Sequence, residues 1–312
     1  MKSIIVLKPF ASHKIWGGSL LSRLKNIEVP ADRDPVGETW EVSAHADGPS
    51  NSECGLLSEI SNMEEIPYLV KFIDTSENLS VQVHPADEYA LKNENSKGKS
   101  ECWVILDAKE GAGIYLGLKK GITKEGLKES LEKKEDLSLS LNFYPVKRGD
   151  FFYVPAGTIH AIGKDVFLAE VQQCSDITYR VWDWNRLWDG NKSGKNGEAR
   201  ELHIDKSLDV IRFDEEFNHR LNFKVQNDIF SNNLKLLELN DFELYSYNKT
   251  EDSDLDISFG ERFASILVLE GSISVSRNSE KQLLSQYQAA LMPLEDVNNF
   301  KVSGKGIFLI IK

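Results

Sequence analysis

Short apolar segments separated by turn residues make up most of the chain, and this pattern limits the folds open to it. The segments are rich in Val, Ile, Phe and Tyr, which favours β-strands. They are SIIVLKPF, YLVKFI, LSVQVH, CWVILDA, FFYVPAG, DVFLAEVQQ and ITYRVWDW. Three stretches predict helices instead: PADEYALKNEN, TKEGLKESLEKK and HIDKSLDVIRF. Because helices are few and scattered, the pattern predicts a mainly β fold, an antiparallel barrel or jelly roll with helical insertions.

The sequence from residue 222 onward consists mostly of predicted β-strands. It contains no histidine, since the last histidine of the chain is His219. Its order of strand, glycine turn, strand and apolar strand ending at Pro293 is similar to the order that ends at Pro155. This similarity suggests a decayed internal repeat. We therefore predict a catalytic domain at residues 1–221 and a second, degenerate β-barrel domain at 222–312.

Length and charge restrict the binding partners. The 312 residues are 41% hydrophobic, which is enough for one large or two ordinary domains. The net charge of -12 repels nucleic acid and anionic membranes at long range, so neither is expected as a partner. A small anionic substrate remains compatible, because a few local cations can reverse the field inside a cleft. The oligomeric state, monomer or homodimer, is left open.

Cysteine usage and hydropathy predict the compartment. The three cysteines form no CxxC pair and are widely spaced, so neither a disulfide framework nor a cysteine-type zinc site is expected. The N-terminal apolar run is too short for a signal peptide, and no 18-residue apolar stretch occurs. A cytoplasmic protein is the expectation.

The stretch LSVQVHPADEY, which begins at Leu79, places polar side chains at alternate positions of a predicted strand. Ser80, Gln82 and His84 share one parity, so a strand would direct all three to one face. An antiparallel strand with its polar side in water has the same pattern, so this segment alone leaves both readings open.

A second segment, GDFFYVPAGTIHA, matches the second motif of the cupin barrels, G-x5-P-x-G-x2-H, up to His160. Lys164 stands where the cupin pattern has Asn. Cupins take further metal ligands from a neighbouring strand, and Gln82, His84 and Glu101 fit that requirement. Gln, His, Glu and His form a mixed nitrogen and oxygen set that suits Zn²⁺ or another borderline divalent ion. We predict one zinc ion per chain in a cupin-type jelly roll.

Several motifs together resemble the type I phosphomannose isomerases, zinc enzymes of the cupin class. LSVQVHP is similar to the family's LS-[IV]-Q-x-HP signature, KSE to its K-P-E, and VPAGTIHA to its P-x-x-x-HA. DITYRVWDWNR resembles the segment that carries the family's arginine, and ARELHIDKSLDVI is similar to the short bacterial branch. KIWGG and GETWEVSAH add to the resemblance, which covers residues from about 4 to about 212.

The resemblance implies interconversion of mannose 6-phosphate and fructose 6-phosphate through an enediolate. It also implies four catalytic residues: Lys99, Glu170, Asp176 and Arg180. Of these, Arg180 would stabilise the enediolate or orient the sugar. Lys99 is implied as the base if its pKa is depressed, or otherwise as a substrate-binding cation. Glu170 and Asp176 are candidates for proton transfer in ring opening, and Glu170 alternatively supports the metal.

Substrate binding is expected from three further residues, Ser80, Lys71 and Trp16. Ser80 lies one strand step from Gln82, and Lys71 matches a phosphate-side lysine of the family. Two departures from the family occur: Ser100 replaces a proline, and Gly98 stands where some members carry a histidine or an aromatic residue. The alternatives are an isomerase for another sugar, a non-catalytic sugar- or metal-binding cupin, and an iron oxygenase.

Overall fold

The computed structural model describes residues 3–60, 66–187, 198–258, 263–293 and 300–312, and these are mainly β-strand. The strands are β1 (Ile5–Leu7), β2 (Phe10–His13), β3 (Val36–Val42), β4 (Asn51–Ser52), β5 (Gly55–Leu56), β6 (Tyr68–Asp74), β7 (Val81–Val83), β8 (Glu101–Ala108), β9 (Gly113–Leu118), β10 (Leu141–Pro145), β11 (Phe151–Val154), β12 (His160–Ile162), β13 (Val166–Gln173), β14 (Tyr179–Trp182), β15 (Leu234–Glu238), β16 (Glu243–Lys249), β17 (Leu255–Ile257), β18 (Ala264–Arg277), β19 (Glu280–Ser285), β20 (Ala289–Met292) and β21 (Phe300–Ile311). The helices are α1 (Leu20–Leu24), α2 (Leu57–Ile60), α3 (Asp87–Glu94), α4 (Lys124–Glu132) and α5 (Ile204–Val210), with 3₁₀ turns at Leu137–Ser140 and Arg220–Phe223. None of the helices in the described ranges is long and apolar enough to cross a membrane.

The three helices predicted from the sequence are confirmed as α3, α4 and α5. The start of α4 follows from its cap, because the Thr123 hydroxyl accepts a hydrogen bond from the Gly126 N–H. In α3, Asp87 and Glu88 occupy the first turn, where the helix dipole favours negative charge. The chain leaves α3 at Asn95, which adopts the left-handed conformation that asparagine tolerates.

The strands form antiparallel sheets, as the sequence pattern predicts. One sheet has the order β10-β9-β12-β7-β14, and another has the order β11-β8-β13-β6-β3-β2. A further sheet follows the path β1-β20-β18-β21-β16-β15, with β17 on β21 and β19 on β18. Every ladder whose register is given is antiparallel, including β12 with β7 and β13 with β8.

The described chain divides into two compact units. One comprises Ser12–Glu38 and Phe72–Gln226; the other comprises Met1–Ala11, Thr39–Lys71 and Asn227–Lys312. These units are not divided between residues 221 and 222, where the sequence predicts the domain boundary. Two N-terminal segments, Met1–Ala11 and Thr39–Lys71, belong to the same unit as the C-terminal strands. The predicted catalytic and C-terminal domains stay a prediction.

The unit that contains Phe72–Gln226 has two apolar clusters on opposite faces of the β10-β9-β12-β7-β14 sheet. The other sheet of this unit, with β11, β8 and β13, faces it, and we call the two facing sheets the barrel. Inside the barrel, Trp103, Ile105, Leu116 and Ile162 pack together with Trp16. Outside it, a second cluster joins this sheet to the helices; its members include Val81, Val83, Ala161, Leu127 and Leu208. Val81 and Val83 therefore face outward, which turns Gln82 between them towards the barrel interior.

The other unit has a large buried apolar cluster. That cluster is formed by Ile4, Ile257, Ala264, Ile266, Val268, Ile273, Val275, Leu284, Ala290, Met292, Phe300, Val302, Phe308 and Ile310. The buried Tyr68 adds a hydrogen bond between its hydroxyl and that of Ser265 at 2.8 Å. In the described residues, this unit thus has a packed structural core.

Candidate metal centre and active site

The side chains of His84, Glu101 and His160 meet inside the barrel and could hold a metal ion. All three are almost completely buried. His84 Nε2 lies 3.3 Å from Glu101 Oε2, and His160 Nε2 lies 3.4 Å from Glu101 Oε1. The strand order explains the meeting, since β7 lies next to β12 and the chain brings β8 across the barrel.

Hydrogen bonds to the backbone fix the tautomers of both histidines. His84 Nδ1 lies 2.8 Å from the Ile177 carbonyl oxygen, and His160 Nδ1 lies 2.9 Å from that of Thr158. A carbonyl oxygen can only accept, so each Nδ1 carries the proton and donates it. Each Nε2 consequently presents a lone pair towards Glu101, which is the arrangement of a histidine that ligates a metal through Nε2.

The atoms that face one another lack the partners that burial normally demands. His84 Nε2, Glu101 Oε1 and Glu101 Oε2 are buried and accept no hydrogen bond within the described part of the chain. Lone pairs on neutral imidazoles and a carboxylate repel one another unless a cation lies among them. Two ligand atoms of a tetrahedral zinc ion with bonds of about 2.0–2.1 Å lie roughly 3.3 Å apart, so the observed separations fit such an ion.

The protonation states favour metal binding as well. Burial and the nearby Lys99 ammonium lower the pKa of His84 to about 3, and burial lowers the pKa of His160. Burial would raise the pKa of Glu101, but Lys99 and His84 outweigh this and hold it well below its ordinary value. Near neutral pH the site therefore offers two neutral imidazoles and one carboxylate, the forms that bind a divalent cation.

Gln82 lies beside this trio. Its backbone pairs with His160 on one side and Arg180 on the other, because β7 is flanked by β12 and β14. Gln82 Nε2 lies 3.3 Å from His160 Nε2. The nitrogen and oxygen of an amide exchange places by a half-turn, which would bring Oε1, a metal-binding atom, to the same point.

Lys99 and Glu170 line the same interior. Lys99 Nζ lies 3.3 Å from Glu101 Oε2, and only 4% of the lysine side chain is exposed. Burial would lower the pKa of Lys99, but Glu101, Glu170, Asp176 and Glu38 raise it above its ordinary value. Glu170 Oε2 accepts a hydrogen bond from Trp103 Nε1 at 3.0 Å. Trp103 in turn packs edge-on against the His160 ring.

Arg180 lies on the edge strand β14, next to Gln82 in the ladder. Its Nη1 donates to the Glu201 carbonyl oxygen at 2.8 Å, while the buried Nε has no partner in the described ranges. Asp183, three residues on, is bound by Arg186 and Arg200 instead. Arg180 is thus not the ion-pair partner of the nearby aspartate.

The remaining predicted residues have different surroundings. Ser80 and Trp16 are buried, Trp16 within the barrel's apolar cluster, whereas Asp176 is exposed. Lys71 belongs to the other compact unit, where its ammonium lies 4.5 Å from the centre of the Trp40 ring.

Sequence reasoning missed two groups near the site. Glu38 is buried, its Oε1 lies 3.6 Å from Lys14 Nζ, and its charge helps to raise the pKa of Lys99. In the sequence, the stretch GETWEVSAH that contains it contributes only to the family resemblance. Gln172 is fully buried opposite Glu101 in the ladder, and its Oε1 has no partner among the described residues. Alternation along DVFLAEVQQ could have placed Glu170 and Gln172 on one face.

The two departures from the family motifs have structural explanations. A Cβ atom at Gly98 would lie 2.5 Å from the Asp87 backbone nitrogen, so the close approach of two backbone segments excludes a side chain there. Ser100 uses the N–H that a proline lacks, since it donates to Gln173 Oε1 at 2.7 Å. Its hydroxyl also accepts from the Ala156 N–H.

Comparison with curated proteins decides the family. The chain is 41% identical over 213 residues to the mannose-6-phosphate isomerase of Streptococcus mutans, covering 64% of each protein. It is 40% identical over 223 residues to the probable mannose-6-phosphate isomerase GmuF of Bacillus subtilis, covering 66% of this chain and 68% of the relative. The chain belongs to the mannose-6-phosphate isomerase family. The matched region spans about two thirds of the length of these relatives, and no family model matches the chain.

Solved structures of mannose-6-phosphate isomerases have a similar fold over the whole length of this chain. The Bacillus subtilis enzyme matches with a TM-score of 0.82 at 29% identity, and the match covers 100% of both chains. A mannose 6-phosphate isomerase bound with zinc and yttrium matches with a TM-score of 0.72 at 15% identity, covering 99% of both chains. The mainly β architecture expected from the sequence is thereby confirmed as that of this family.

Proposed function

We propose that this chain interconverts mannose 6-phosphate and fructose 6-phosphate at the centre formed by His84, Glu101 and His160. The observation that carries the proposal is the buried convergence of three possible ligand side chains in a chain of the mannose-6-phosphate isomerase family. Among the described residues, His84 Nε2 and both Glu101 carboxylate oxygens accept no hydrogen bond. The curated relatives and the Bacillus subtilis structure bear the name of this activity, which supports the same substrate here.

The metal is proposed to be one zinc ion per chain, held by Gln82, His84, Glu101 and His160. The nitrogen and oxygen donor set and the spacing of the ligand atoms support zinc, as does the zinc reported for a structure of the same fold. A bound zinc ion would polarise sugar oxygens as a Lewis acid.

The chain's own residues would then carry the proton transfer and the charge. Isomerisation moves a hydrogen between the first and second carbons, and negative charge develops on the sugar oxygens as the enediolate forms. Arg180, free of any carboxylate partner in the described residues, is proposed to stabilise that charge. Lys99, with its raised pKa, is proposed to act as a cation that binds the substrate, and Glu170 and Asp176 remain the candidates for proton transfer.

The phosphate is proposed to be bound on the side of Ser80 and Lys71, with Trp16 forming part of the substrate's surroundings. All three are buried, as expected for groups that hold a substrate away from bulk water. Three free cysteines support a reducing, cytoplasmic location. The negative net charge supports a small-molecule substrate rather than nucleic acid or membrane.

The test is a coupled assay in which purified, zinc-loaded protein converts mannose 6-phosphate and the fructose 6-phosphate formed is measured as glucose 6-phosphate. Turnover that is lost on chelation and restored by zinc supports the proposal. Comparable turnover of unphosphorylated mannose would favour an isomerase for another sugar. Binding without turnover would favour a non-catalytic cupin, and oxygen consumption with an iron-loaded sample would favour an oxygenase.

A further inference from the structure

The segment at Glu201–His203 holds Arg180 through three hydrogen bonds. The Arg180 N–H donates to His203 Nδ1 at 3.1 Å, and the His203 N–H donates to the Arg180 carbonyl oxygen at 2.8 Å. Arg180 Nη1 adds the bond to the Glu201 carbonyl oxygen at 2.8 Å. Both the backbone and the guanidinium of Arg180 are therefore fixed by one short stretch of chain.

The strand geometry makes this stretch necessary. β14 is the edge strand of its sheet, so among the described residues one side of its backbone has no neighbouring strand. Beyond Arg180 the ladder with β7 shifts its register before Trp182, which weakens the support from the paired side. A half-buried edge N–H needs another acceptor, and the His203 imidazole supplies it.

His203 is itself held by α5. Its carbonyl oxygen accepts hydrogen bonds from the Ser207 N–H at 2.8 Å and from the Ser207 hydroxyl at 2.7 Å. The helix is anchored by Leu208 and Val210, which pack into the apolar cluster outside the barrel. The imidazole therefore lies at a defined position relative to β14.

No carboxylate substitutes for this support. Asp183 is occupied by Arg186 and Arg200, and Arg180 forms no ion pair with a carboxylate in the described part of the chain. The direction of the Arg180 side chain thus depends on where its backbone is fixed and on the Glu201 carbonyl oxygen.

We propose that His203 is a positioning residue for Arg180, acting through its Nδ1 acceptor. This inference rests on the proposed function, because it assumes that Arg180 acts on the substrate. A displacement of about 1 Å at a catalytic group can cost on the order of 10² in rate, so loss of one fixed contact is expected to reduce kcat more than it changes KM.

Two amide variants separate the acceptor from the rest of the side chain. Asn carries Oδ1 on Cγ, where histidine carries Nδ1, so His203→Asn keeps an acceptor for the Arg180 N–H. Gln places its amide one bond further out, so His203→Gln keeps polarity and size but removes that acceptor. His219 offers a matched control, because its Nδ1 accepts from the Leu221 N–H at 3.4 Å at the start of an exposed 3₁₀ turn.

We expect His203→Asn and His219→Ala to turn over mannose 6-phosphate within about threefold of the parent, and His203→Gln to lose about 10- to 100-fold in kcat with little change in KM. In an Arg180→Ala background, His203→Gln should cause no further loss, because it acts through that side chain. Melting temperature and zinc content are measured on every variant. Equal rates for the Asn and Gln variants, or a full additional loss in the Arg180→Ala background, would overturn the inference.

A measurement without substrate separates this inference from the proposed function. In protein with ¹⁵N-labelled histidine, NMR should find neutral His203 protonated at Nε2, since Nδ1 accepts a hydrogen bond. The His203→Asn spectrum assigns the signal. A proton on Nδ1 would refute the positioning role whatever the enzyme catalyses. Absence of isomerase activity in the parent, with the Nε2–H form observed, would instead refute the proposed function.

Discussion

His84 Nε2 lies 3.3 Å from Glu101 Oε2, and neither atom has a hydrogen-bond partner among the described residues. Both side chains are almost completely buried. Glu101 Oε2 also lies 3.3 Å from the buried Lys99 Nζ, so the carboxylate belongs to an ion pair as well as to the candidate metal centre. Removing its charge should therefore reduce both metal binding and stability.

Glu101→Gln tests the metal centre. The parent should purify with ~1 equivalent of zinc and melt at a higher temperature when zinc is present, because a ligand that binds the folded state stabilises it. The variant should lose most of the zinc and the activity, since a neutral amide replaces the only carboxylate of the trio. Elemental analysis and thermal melting provide the measurement. The control is Glu88→Gln, a substitution at an exposed position of α3. Full activity of rigorously metal-free parent protein would refute the prediction that the enzyme needs a metal ion.

Arg180→Ala should keep its zinc and lose about 10² to 10³ in kcat, because a guanidinium at the developing negative charge stabilises the transition state more than the substrate. Arg180→Lys should recover only part of the loss, since an ammonium lacks the planar fork. Steady-state kinetics on both variants provide the measurement. A folded, zinc-loaded Arg180→Ala that is nearly as fast as the parent would show that the charge is stabilised elsewhere.

Lys71→Met should raise KM for mannose 6-phosphate more than it lowers kcat. A contact with the phosphate exists in both the ground state and the transition state, so its loss acts on binding. Methionine keeps the buried stem over the Trp40 ring and removes the charge. The control is Lys224→Met, another lysine over an aromatic ring but on an exposed surface. An unchanged KM would remove Lys71 from the phosphate site.

Gly98→Ala should destabilise the protein by about 1–3 kcal/mol, since the added Cβ would lie 2.5 Å from the Asp87 nitrogen and two backbone segments must separate. Because Lys99 and Glu101 follow at once, zinc affinity should fall too. Denaturant unfolding and zinc titration check both effects. Gly126→Ala, in the exposed helix α4, should be neutral or stabilising. A stable Gly98→Ala with unchanged zinc affinity would contradict the close-packing argument.

Asp183→Asn should destabilise metal-free protein by about 1–3 kcal/mol near neutral pH, because it leaves two half-buried arginines without their carboxylate. Burial would raise the pKa of Asp183, but Arg200 and Arg186 outweigh it and hold the pKa below its ordinary value of 3.8. The unfolded state thus binds the proton more tightly, and the carboxylate's contribution is lost as pH falls below about 3.8. The difference in unfolding free energy between parent and variant should therefore shrink with acidity. A difference that stays constant down to pH ~2 would show that the ion pairs contribute nothing.

The sequence by itself determined the local elements and most of the candidate metal centre. Val, Ile and aromatic residues at alternating positions predicted strands, and caps such as Thr123 predicted helix starts. Part of this cluster was predictable because side-chain direction in a strand alternates residue by residue, so Gln82 and His84 had to share a face opposite Val81 and Val83. The glycine and proline positions of the cupin motif G-x5-P-x-G-x2-H then predicted that His160 follows a turn and adds a second histidine to the site.

Only the tertiary structure decided which side chains meet across the chain. Arg180 and His203 are joined because α5 packs beside an edge strand, and Asp183 binds Arg186 and Arg200 rather than Arg180. Which carboxylate pairs with which arginine depends on the register of β14 and the path of the chain that returns to it. A linear sequence encodes such pairings only through the packing of the whole unit, since contacts between distant segments arise from burial rather than from local spacing.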